Sequence, residues 1–408
     1  MLARLARVAA LALLAASSPA CVHRGASWVG EPGEAIEATA FGVVAIAQPR
    51  PGRASREVAR ALDSLLARER AAGRTTLVIW LGHDFGPPGS DRLRAEGCPT
   101  RSPWLAPGMR ELATTLREHQ RSGGAIWGLP GPDGWRCPTI DLAAAPTIDP
   151  PDAAYLIRVY ADGRSELASQ CLAERCTIAA THEAEPARLE LVFIDPSAWV
   201  YPELDRPDSP AHAALTELDA LLAALAERDD DVPRVLVSPI PIESAGLHGY
   251  GGGRARSALR WQPESVRRAI GEGRFVGVIA GLERDLQASR DLSGAIMRSD
   301  RSFLAAPVFQ LVSGAAGGAR PTLAVSRGNT LVNELESDHT GFARLIVEAE
   351  SVRLELHARV GGRWQVGALA LPLRPEPADE LRPVPAIQPC LRCDPVRGAA
   401  DGEAWFDR

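Results

Sequence analysis

The sequence predicts an α/β fold, and three observations support that prediction. Segments with the spacing of amphipathic helices alternate with short apolar strands through the first two thirds of the 408 residues. After Phe275 the pattern changes to closely spaced strands with little helix. Hydrophobic residues make up 46% of the chain, enough for a sizeable core, so we expect one compact domain with additional segments at both ends.

Apolar residues recur at intervals of three or four in three segments, which places them on one helical face. The second of these segments stops at Gly123 and Gly124, a combination that commonly follows a helix. The predicted helices cover residues 55–68, 109–119 and 210–227.

Short apolar runs between and after these helices predict strands. Gly361 and Gly362 separate the last two runs and predict a hairpin turn. The predicted strands cover residues 75–81, 125–127, 155–160, 234–237, 276–280, 308–313, 322–325, 343–349, 352–359 and 364–370. Residues 136–185 predict either an insertion or a strand pair that covers the region above the sheet.

Several short motifs follow one another in an order that resembles a known family. Residues 75–89 read TTLVIWLGHDFGPPG, a strand and turn similar to the "LGDN-Y-P-G" motif of the calcineurin-like phosphoesterases, particularly their purple acid phosphatase-like branch. His83 and Asp84 stand where that family has Asp and Asn. Residues 43–52, VVAIAQPRPG, resemble the first strand of the family, and Gln48 occupies the position of its first metal ligand.

The later motifs keep the family's strands and lose its ligands. Residues 125–135, AIWGLPGPDGW, have Leu129 and Pro130 at the Asn and His positions, whereas residues 189–199, LELVFIDPSAW, retain Asp195, which is mainly structural in the family. Residues 235–249, VLVSPIPIESAGLHG, keep His248. In the same segment, Pro239 and Ile240 stand where the family has a pair of histidines. Residues 280–287, AGLERDLQ, have Leu282 and Arg284 at two further histidine positions of the family. Two further strands, FQLVSGAAG at 309–317 and GFARLIV at 341–347, also match.

The resemblance implies a four-layer α-β-β-α sandwich of two mixed β-sheets, with a site for two divalent metals such as Fe, Mn or Zn at the carboxyl ends of the strands. Such a site clamps the attacking and leaving oxygens of a phosphoester and needs carboxylate, imidazole or amide ligands. Leu129, Pro130, Ile240 and Leu282 offer no side-chain donor atom, and Arg284 brings a positive charge. We therefore expect a catalytically degenerate member of this fold, with no catalytic residue and no cofactor.

Three functions remain open at this point. The first is a binding or scaffolding pseudoenzyme with an unidentified protein partner. The second is an active metal-dependent phosphoesterase whose remodelled site uses the residual candidate ligands His83, Asp84 and His248. The third is a non-catalytic binder of a phosphate-bearing ligand, which would use Arg284 and the glycine-rich loop HGYGGGR at residues 248–254; a plain surface loop is the simpler interpretation of those glycines.

The chain begins with the pattern of an export signal. Residues 1–20 have two early arginines, an apolar run too short to span a membrane, and small residues before Cys21. This pattern resembles a bacterial lipoprotein signal, which implies acylation of Cys21 and a lipid anchor in the outer membrane or periplasm. Ordinary cleavage with secretion is the alternative. We expect a linker at residues 21–40, the phosphoesterase-like domain at 41–372 and a Pro-rich tail at 373–408.

Cysteine content and charge limit the possible partners. Six cysteines follow Cys21, and in an exported protein they predict disulfides: Cys98, Cys137, Cys171, Cys176, Cys390 and Cys393. Pairing within 171–176 or 390–393 would close short loops, and the latter pair could instead be half of a zinc site or a redox pair. A net charge of -6 argues against a nucleic-acid partner, because binding phosphate backbones requires clustered basic residues.

Overall fold

A computed structural model of the chain defines the fold. It describes residues 40–82, 103–131, 154–172, 174–180, 185–200, 210–242, 262–281, 285–290, 309–318 and 333–373, together with positions 36, 135 and 244. In these ranges the chain forms two β-sheets, a set of helices and a small separate hairpin.

The helices and strands have the following bounds. The helices are α1 (Arg53–Ala71), α2 (Met109–Arg121), the single turn α3 (Ser197–Val200), α4 (Pro210–Ala226) and α5 (Glu264–Gly271), and Pro103–Leu105 forms a 3-10 turn. The first eight strands are β1 (Phe41–Ile46), β2 (Thr76–Trp80), β3 (Ile126–Gly128), β4 (Ala154–Val159), β5 (Ser165–Leu167), β6 (Ser169–Leu172), β7 (Arg175–Ile178) and β8 (Leu189–Ile194). The remaining strands are β9 (Arg234–Ser238), β10 (Gly277–Ala280), β11 (Leu286–Arg290), β12 (Phe309–Ser313), β13 (Asn333–Ser337), β14 (Gly341–Val347), β15 (Ser351–Val360) and β16 (Arg363–Pro372).

Both large sheets mix parallel and antiparallel pairs. The first sheet has the strand order β16-β15-β14-β1-β2-β3, with β1 parallel to β2 and antiparallel to β14. The second sheet has the order β13-β11-β12-β10-β9-β8-β4-β5, with a parallel centre of β8, β9, β10 and β12. Parallel strands end on the same side, so the carboxyl ends of β1, β2 and β3 form one edge of their sheet, as do those of β8, β9 and β10.

Three apolar clusters show how the layers stack. One cluster lies between the two sheets and combines Val43 and Leu77 of the first with Leu191 and Val237 of the second. A second cluster joins the outer face of the first sheet to α1 and α2, and a third joins the outer face of the second sheet to α4 and α5. The molecule is therefore a four-layer α-β-β-α sandwich, which confirms the predicted fold class.

The side-chain alternation of β1 explains why it lies at the centre. Val43 and Ala45 face the second sheet, whereas Val44 and Ile46 face α1 and α2, because successive side chains of a strand point to opposite faces. All six residues of β1 are buried. A run that is apolar on both faces is typical of strands covered on both sides.

The sequence predicted the final hairpin correctly. Gly361 and Gly362 connect β15 to β16 with φ of 57° and 82°. Positive φ at both central residues is the requirement of a type I′ turn, and glycine meets it without strain. The two strands pair from Val360 and Arg363 at the turn to Ser351 and Pro372 at the far end.

One predicted disulfide is present, and several elements were not predicted. Cys171 and Cys176 face each other across the β6–β7 hairpin and form a disulfide bond. The other cysteines and the predicted strand at 322–325 lie outside the described residues. Among the described elements, α3, α5, β5, β11 and β13 were not predicted from the sequence. Among the helices described here, no helix is both long enough and apolar enough to cross a membrane.

Candidate functional site

The carboxyl ends of strands from both sheets meet at one place. Gly281, the residue after β10, lies so close to the first sheet that a Cβ atom there would be 2.9 Å from the Cβ of Ala47 and 3.4 Å from that of Leu81. Real Cβ atoms do not approach one another that closely, so only glycine fits. The backbone N–H of Gly281 donates to the carbonyl of Pro239, 3.2 Å away, which adds β9 to the same junction.

Gln48 lies at this junction, two residues after the end of β1. It is the one residue other than glycine with positive φ among those described, at 52°, and its side chain is buried. Its backbone N–H donates to the carbonyl of Gly82, 3.3 Å away. A Cβ atom on Gly317 would come within 2.3 Å of the Gln48 carbonyl oxygen. The position at which the resemblance places a first metal ligand is thus enclosed by backbone on two sides.

Leu129 and Pro130 follow β3 and fill the adjoining space. The N–H of Leu129 donates to the carbonyl of Trp80 over 2.8 Å, and its side chain belongs to the core between the sheets with 2% exposure. The carbonyl oxygen of Pro130 would lie 2.6 Å from a Cβ atom on Gly82. Packing of aliphatic side chain and backbone therefore occupies the positions at which the resemblance places the family's Asn and His.

Pro239 and Ile240 stand in a tightly bonded segment after β9. Ile240 is 1% exposed, its N–H donates to the hydroxyl of Ser238 over 3.2 Å, and its carbonyl accepts from the side-chain amide of Gln262 over 2.9 Å. The backbone N–H and C=O groups of Ile240 are thus both hydrogen-bonded to buried polar side chains. Sequence reasoning located this segment but gave no indication of its hydrogen-bond partners.

Three buried glutamines hold the segment from Ser238 to Ser244. Besides Gln262, the amide oxygen of Gln310 accepts from the N–H of Ile242 over 2.7 Å, and the amide nitrogen of Gln287 donates to the hydroxyl of Ser244 over 3.3 Å. Each glutamine has 0% exposure. A signal for Gln310 exists in the sequence: it is the one amide in the apolar strand FQLVS, and buried polar groups in such strands have partners.

Asp195 ties the two sheets together at the same edge. Its Oδ2 accepts from the N–H of Gly131 over 2.6 Å and from the indole N–H of Trp135 over 3.0 Å. Its Oδ1 accepts from the N–H of Ser197 over 3.0 Å and from the Ser197 hydroxyl. Burial raises the pKa of Asp195 above its usual value, and these four hydrogen bonds act in the opposite direction. The carboxylate is thus a structural acceptor, the role that the resemblance implies.

The other named positions are not part of the described structure. His83, Asp84, His248, Leu282 and Arg284 lie outside the described residues, as does Cys21, the predicted lipidation site. Their roles stay predictions. Of the nine positions at which the resemblance places the family's catalytic site, the structure describes five and brings them to one edge of the sandwich: Gln48, Leu129, Pro130, Pro239 and Ile240.

The described residues at these strand ends do not supply the full ligand set of a two-metal centre. In the described ranges no group of three or more His, Cys, Asp or Glu side chains is placed to hold a metal ion. Both oxygens of Asp195 already accept hydrogen bonds, and Leu129, Pro130, Pro239 and Ile240 have no donor atoms in their side chains. No catalytic step through metals follows from this geometry.

Comparison with known proteins gives a fold and no family. The sequence matches no protein-family model and no curated protein. The structure is similar to GAP50, described as the anchor in the inner membrane complex of Plasmodium, with a TM-score of 0.52 and 12% identity over 83% of this chain and 90% of that one. Purple acid phosphatase PPD1 from yellow lupin gives a TM-score of 0.46 and 9% identity over 82% of this chain and 54% of that one.

These similarities and the topology describe a metallophosphoesterase-like fold. They also correct one expectation. Similar structures include wild-type Vps29 from Entamoeba histolytica complexed with Zn²⁺, with a TM-score of 0.32 and 10% identity over 82% of this chain and all of that one. The expectation that the chain uses no cofactor is wrong, because the similar structures include this zinc complex.

Proposed function

We propose that this protein is a catalytically degenerate, phosphoesterase-fold lipoprotein of the bacterial cell envelope that acts as a binding or scaffolding module. The observation that carries the proposal is the packing of Leu129 and Ile240. Both stand where the resembling family has metal ligands, and both side chains are buried, at 2% and 1% exposure. The backbone of Leu129 is hydrogen-bonded to Trp80 at the end of β2, and that of Ile240 to the side chains of Ser238 and Gln262.

Loss of turnover follows from this packing. Phosphoester hydrolysis by two metals requires ligands that fix both ions about 3.5 to 4 Å apart. Enzymes accelerate the slowest such reactions by up to about 10²¹-fold, so scattered polar groups are no substitute for that arrangement. By a degenerate site we mean one that no longer hydrolyses phosphoesters. Such a site can still bind a metal ion through residues other than those at the described strand ends.

A scaffolding role is supported by the rigidity of the former catalytic edge. Asp195 connects the ends of β3 and β8, Gly281 allows β10 to contact the first sheet, and the buried glutamines fix the segment after β9. Such an edge is a fixed platform from which the connecting loops can present a binding surface. The Plasmodium protein described as an anchor has a similar fold, which is consistent with a non-hydrolytic use of this architecture.

The envelope location rests on the amino-terminal sequence and is supported by the disulfide. Residues 1–20 with Cys21 have the pattern of a lipoprotein signal, and the Cys171–Cys176 disulfide suits an oxidising compartment. We expect the wild-type chain in the membrane fraction and the Cys21→Ser variant in the soluble or secreted fraction. If the wild-type chain is found only in the medium, the protein is secreted by ordinary signal cleavage and has no lipid anchor.

Hydrolytic activity tests the main claim. The chain lacking residues 1–20 is assayed with a generic phosphomonoester and a generic phosphodiester after incubation with Mn²⁺, Fe²⁺ or Zn²⁺, and its metal content is measured in the same samples. We expect no turnover above the protein-free blank at any metal content. Metal-dependent turnover would establish the second function, an active phosphoesterase with a remodelled site.

A further inference from the structure

Strand β16 forms a long open edge of the first sheet. It spans ten residues and pairs with β15 along its whole length without a shift in register. On its other side no strand lies beside it within the described residues. As far as the described residues show, the backbone groups on this side of β16 can therefore pair with a further strand.

The hairpin turn determines which backbone groups face outward. A two-residue turn is closed by a hydrogen-bonded pair, here Val360 and Arg363, and bonded positions then alternate along the strand. The N–H and C=O groups of the intervening residues consequently point away from β15. These residues are Trp364, Val366, Ala368 and Ala370.

Between Arg363 and Pro372 at its two ends, β16 lacks the features that usually protect an edge. Residues 364–371 read WQVGALAL, with no charged side chain, and Val366 is 48% exposed. Natural sheets discourage edge pairing with charge, proline, bulges or very short strands. The other edge strands follow that rule, since β3 and β5 have three residues each and β13 contains Glu334 and Glu336.

The geometry points to antiparallel pairing of β16 with the β16 of a second copy of this chain, which would join two six-stranded sheets into one of twelve strands about a twofold axis. This inference goes beyond the proposed function, because β16 contributes no residue to the strand-end site.

Charge and self-complementarity favour a second copy as the occupant. In an antiparallel pair the outward-facing residues lie opposite one another, so Val366 of each copy pairs with Ala368 of the other and the twofold axis passes at Gly367. Arg363 of each copy then lies beside Leu371 of the other, and the two arginines are roughly 27 Å apart at about 3.4 Å per residue. The uncharged centre meets an identical uncharged centre, without like-charge repulsion. An acidic or basic peptide would find no complementary charge along the strand.

The chain's own tail is a poor occupant of this edge. After β16, prolines recur at positions 375, 377, 383, 385, 389 and 395. Proline has no N–H to donate to a strand ladder, so residues 374–395 cannot pair regularly along ten residues. The remaining residues, 396–408, contain no proline but have five charged side chains, which find no complementary charge at the centre of β16.

Sedimentation equilibrium of the full chain in density-matched detergent, over a range of concentrations, tests the inference. We expect the apparent mass to rise from one chain to two. Val366→Arg should return it to one chain, since two such arginines would be neighbours across the twofold axis. Ala368→Pro should do the same by removing an outward N–H while leaving the bonds to β15 intact.

Two matched variants separate pairing from general damage. Ala368→Thr keeps the N–H, and Leu167→Arg places the same charge at an exposed apolar position on the short edge strand β5. We expect both to remain dimers. A wild-type chain that stays monomeric at every concentration would overturn the inference, as would a dimer that persists in both disruptive variants.

Hydrogen exchange gives a measurement without any substitution. In the dimer, the amides of Val366 and Ala368 should exchange more slowly as concentration rises, while those of Gln365 and Leu369, which already bond to β15, should not change. Concentration-independent exchange at Val366 and Ala368 would contradict strand pairing.

Discussion

The N–H of Gly131 donates a hydrogen bond to the carboxylate of Asp195 over 2.6 Å, and this contact joins the two sheets at their common edge. Gly131 follows β3 of the first sheet, and Asp195 follows β8 of the second. Asp195 is therefore used to hold the sandwich together, next to positions at which the resemblance places metal ligands.

Replacing Asp195 with Asn should destabilise the protein. All four groups around the carboxylate are donors, and an amide nitrogen among them would face another N–H or O–H. An unsatisfied buried polar group costs about 1 to 3 kcal/mol in the free energy of unfolding. Urea denaturation measures the change, with the exposed Glu118→Gln as the matched control, which should unfold like wild type.

Gly281→Ala should destabilise the junction of the sheets, and Ala47→Gly should partly rescue it. The added Cβ would lie 2.9 Å from the Cβ of Ala47, and overpacking of this kind costs about 1 to 3 kcal/mol. A double-mutant cycle from thermal or urea unfolding measures the coupling. Additive effects of the two substitutions would show that the close approach has no energetic importance.

Gln310→Leu should loosen the segment after β9. The N–H of Ile242 would lose its buried acceptor, at a cost of about 1 to 3 kcal/mol, and its amide should exchange faster with solvent. Hydrogen exchange and urea unfolding give the two readouts. Gln170→Leu, a change of the same kind at an exposed position in β6, should leave both unchanged.

The buried ring of His119 should make stability depend on pH. Burial lowers its pKa, and the nearby positive charge of Arg70 acts in the same direction. The folded protein therefore binds this proton less readily than the unfolded chain, so stability is complete above the ordinary value near 6.5 and is lost as pH falls through the lowered pKa.

Unfolding measured between pH 7 and pH 5 tests this dependence. The free energy should fall by up to about 1.4 kcal/mol per pH unit from this one residue. His119→Leu should reduce that slope, whereas His212→Leu, at an exposed position on α4, should not. Equal slopes in all three proteins would contradict a neutral buried His119.

Local patterns predicted much of the fold, and long-range contacts explain the rest. The spacing of Val58, Leu62 and Leu65 predicted α1, and the glycine pair predicted the β15–β16 turn. Helix α5 was missed because it has only eight residues, and β13 because its glutamates obscure the apolar alternation. Sequence could name Leu129 and Ile240 as altered positions, but their burial and the glutamine network depend on residues distant in the chain.

The most direct test of the account is hydrolysis of a phosphomonoester and a phosphodiester by the signal-free chain and by a His83→Ala/His248→Ala variant, each supplied with Mn²⁺, Fe²⁺ or Zn²⁺. We expect both proteins to hydrolyse these substrates no faster than the protein-free blank, whatever metal they bind. A metal-dependent rate in the wild-type chain that disappears in the variant would contradict this expectation and assign catalysis to the residual ligands.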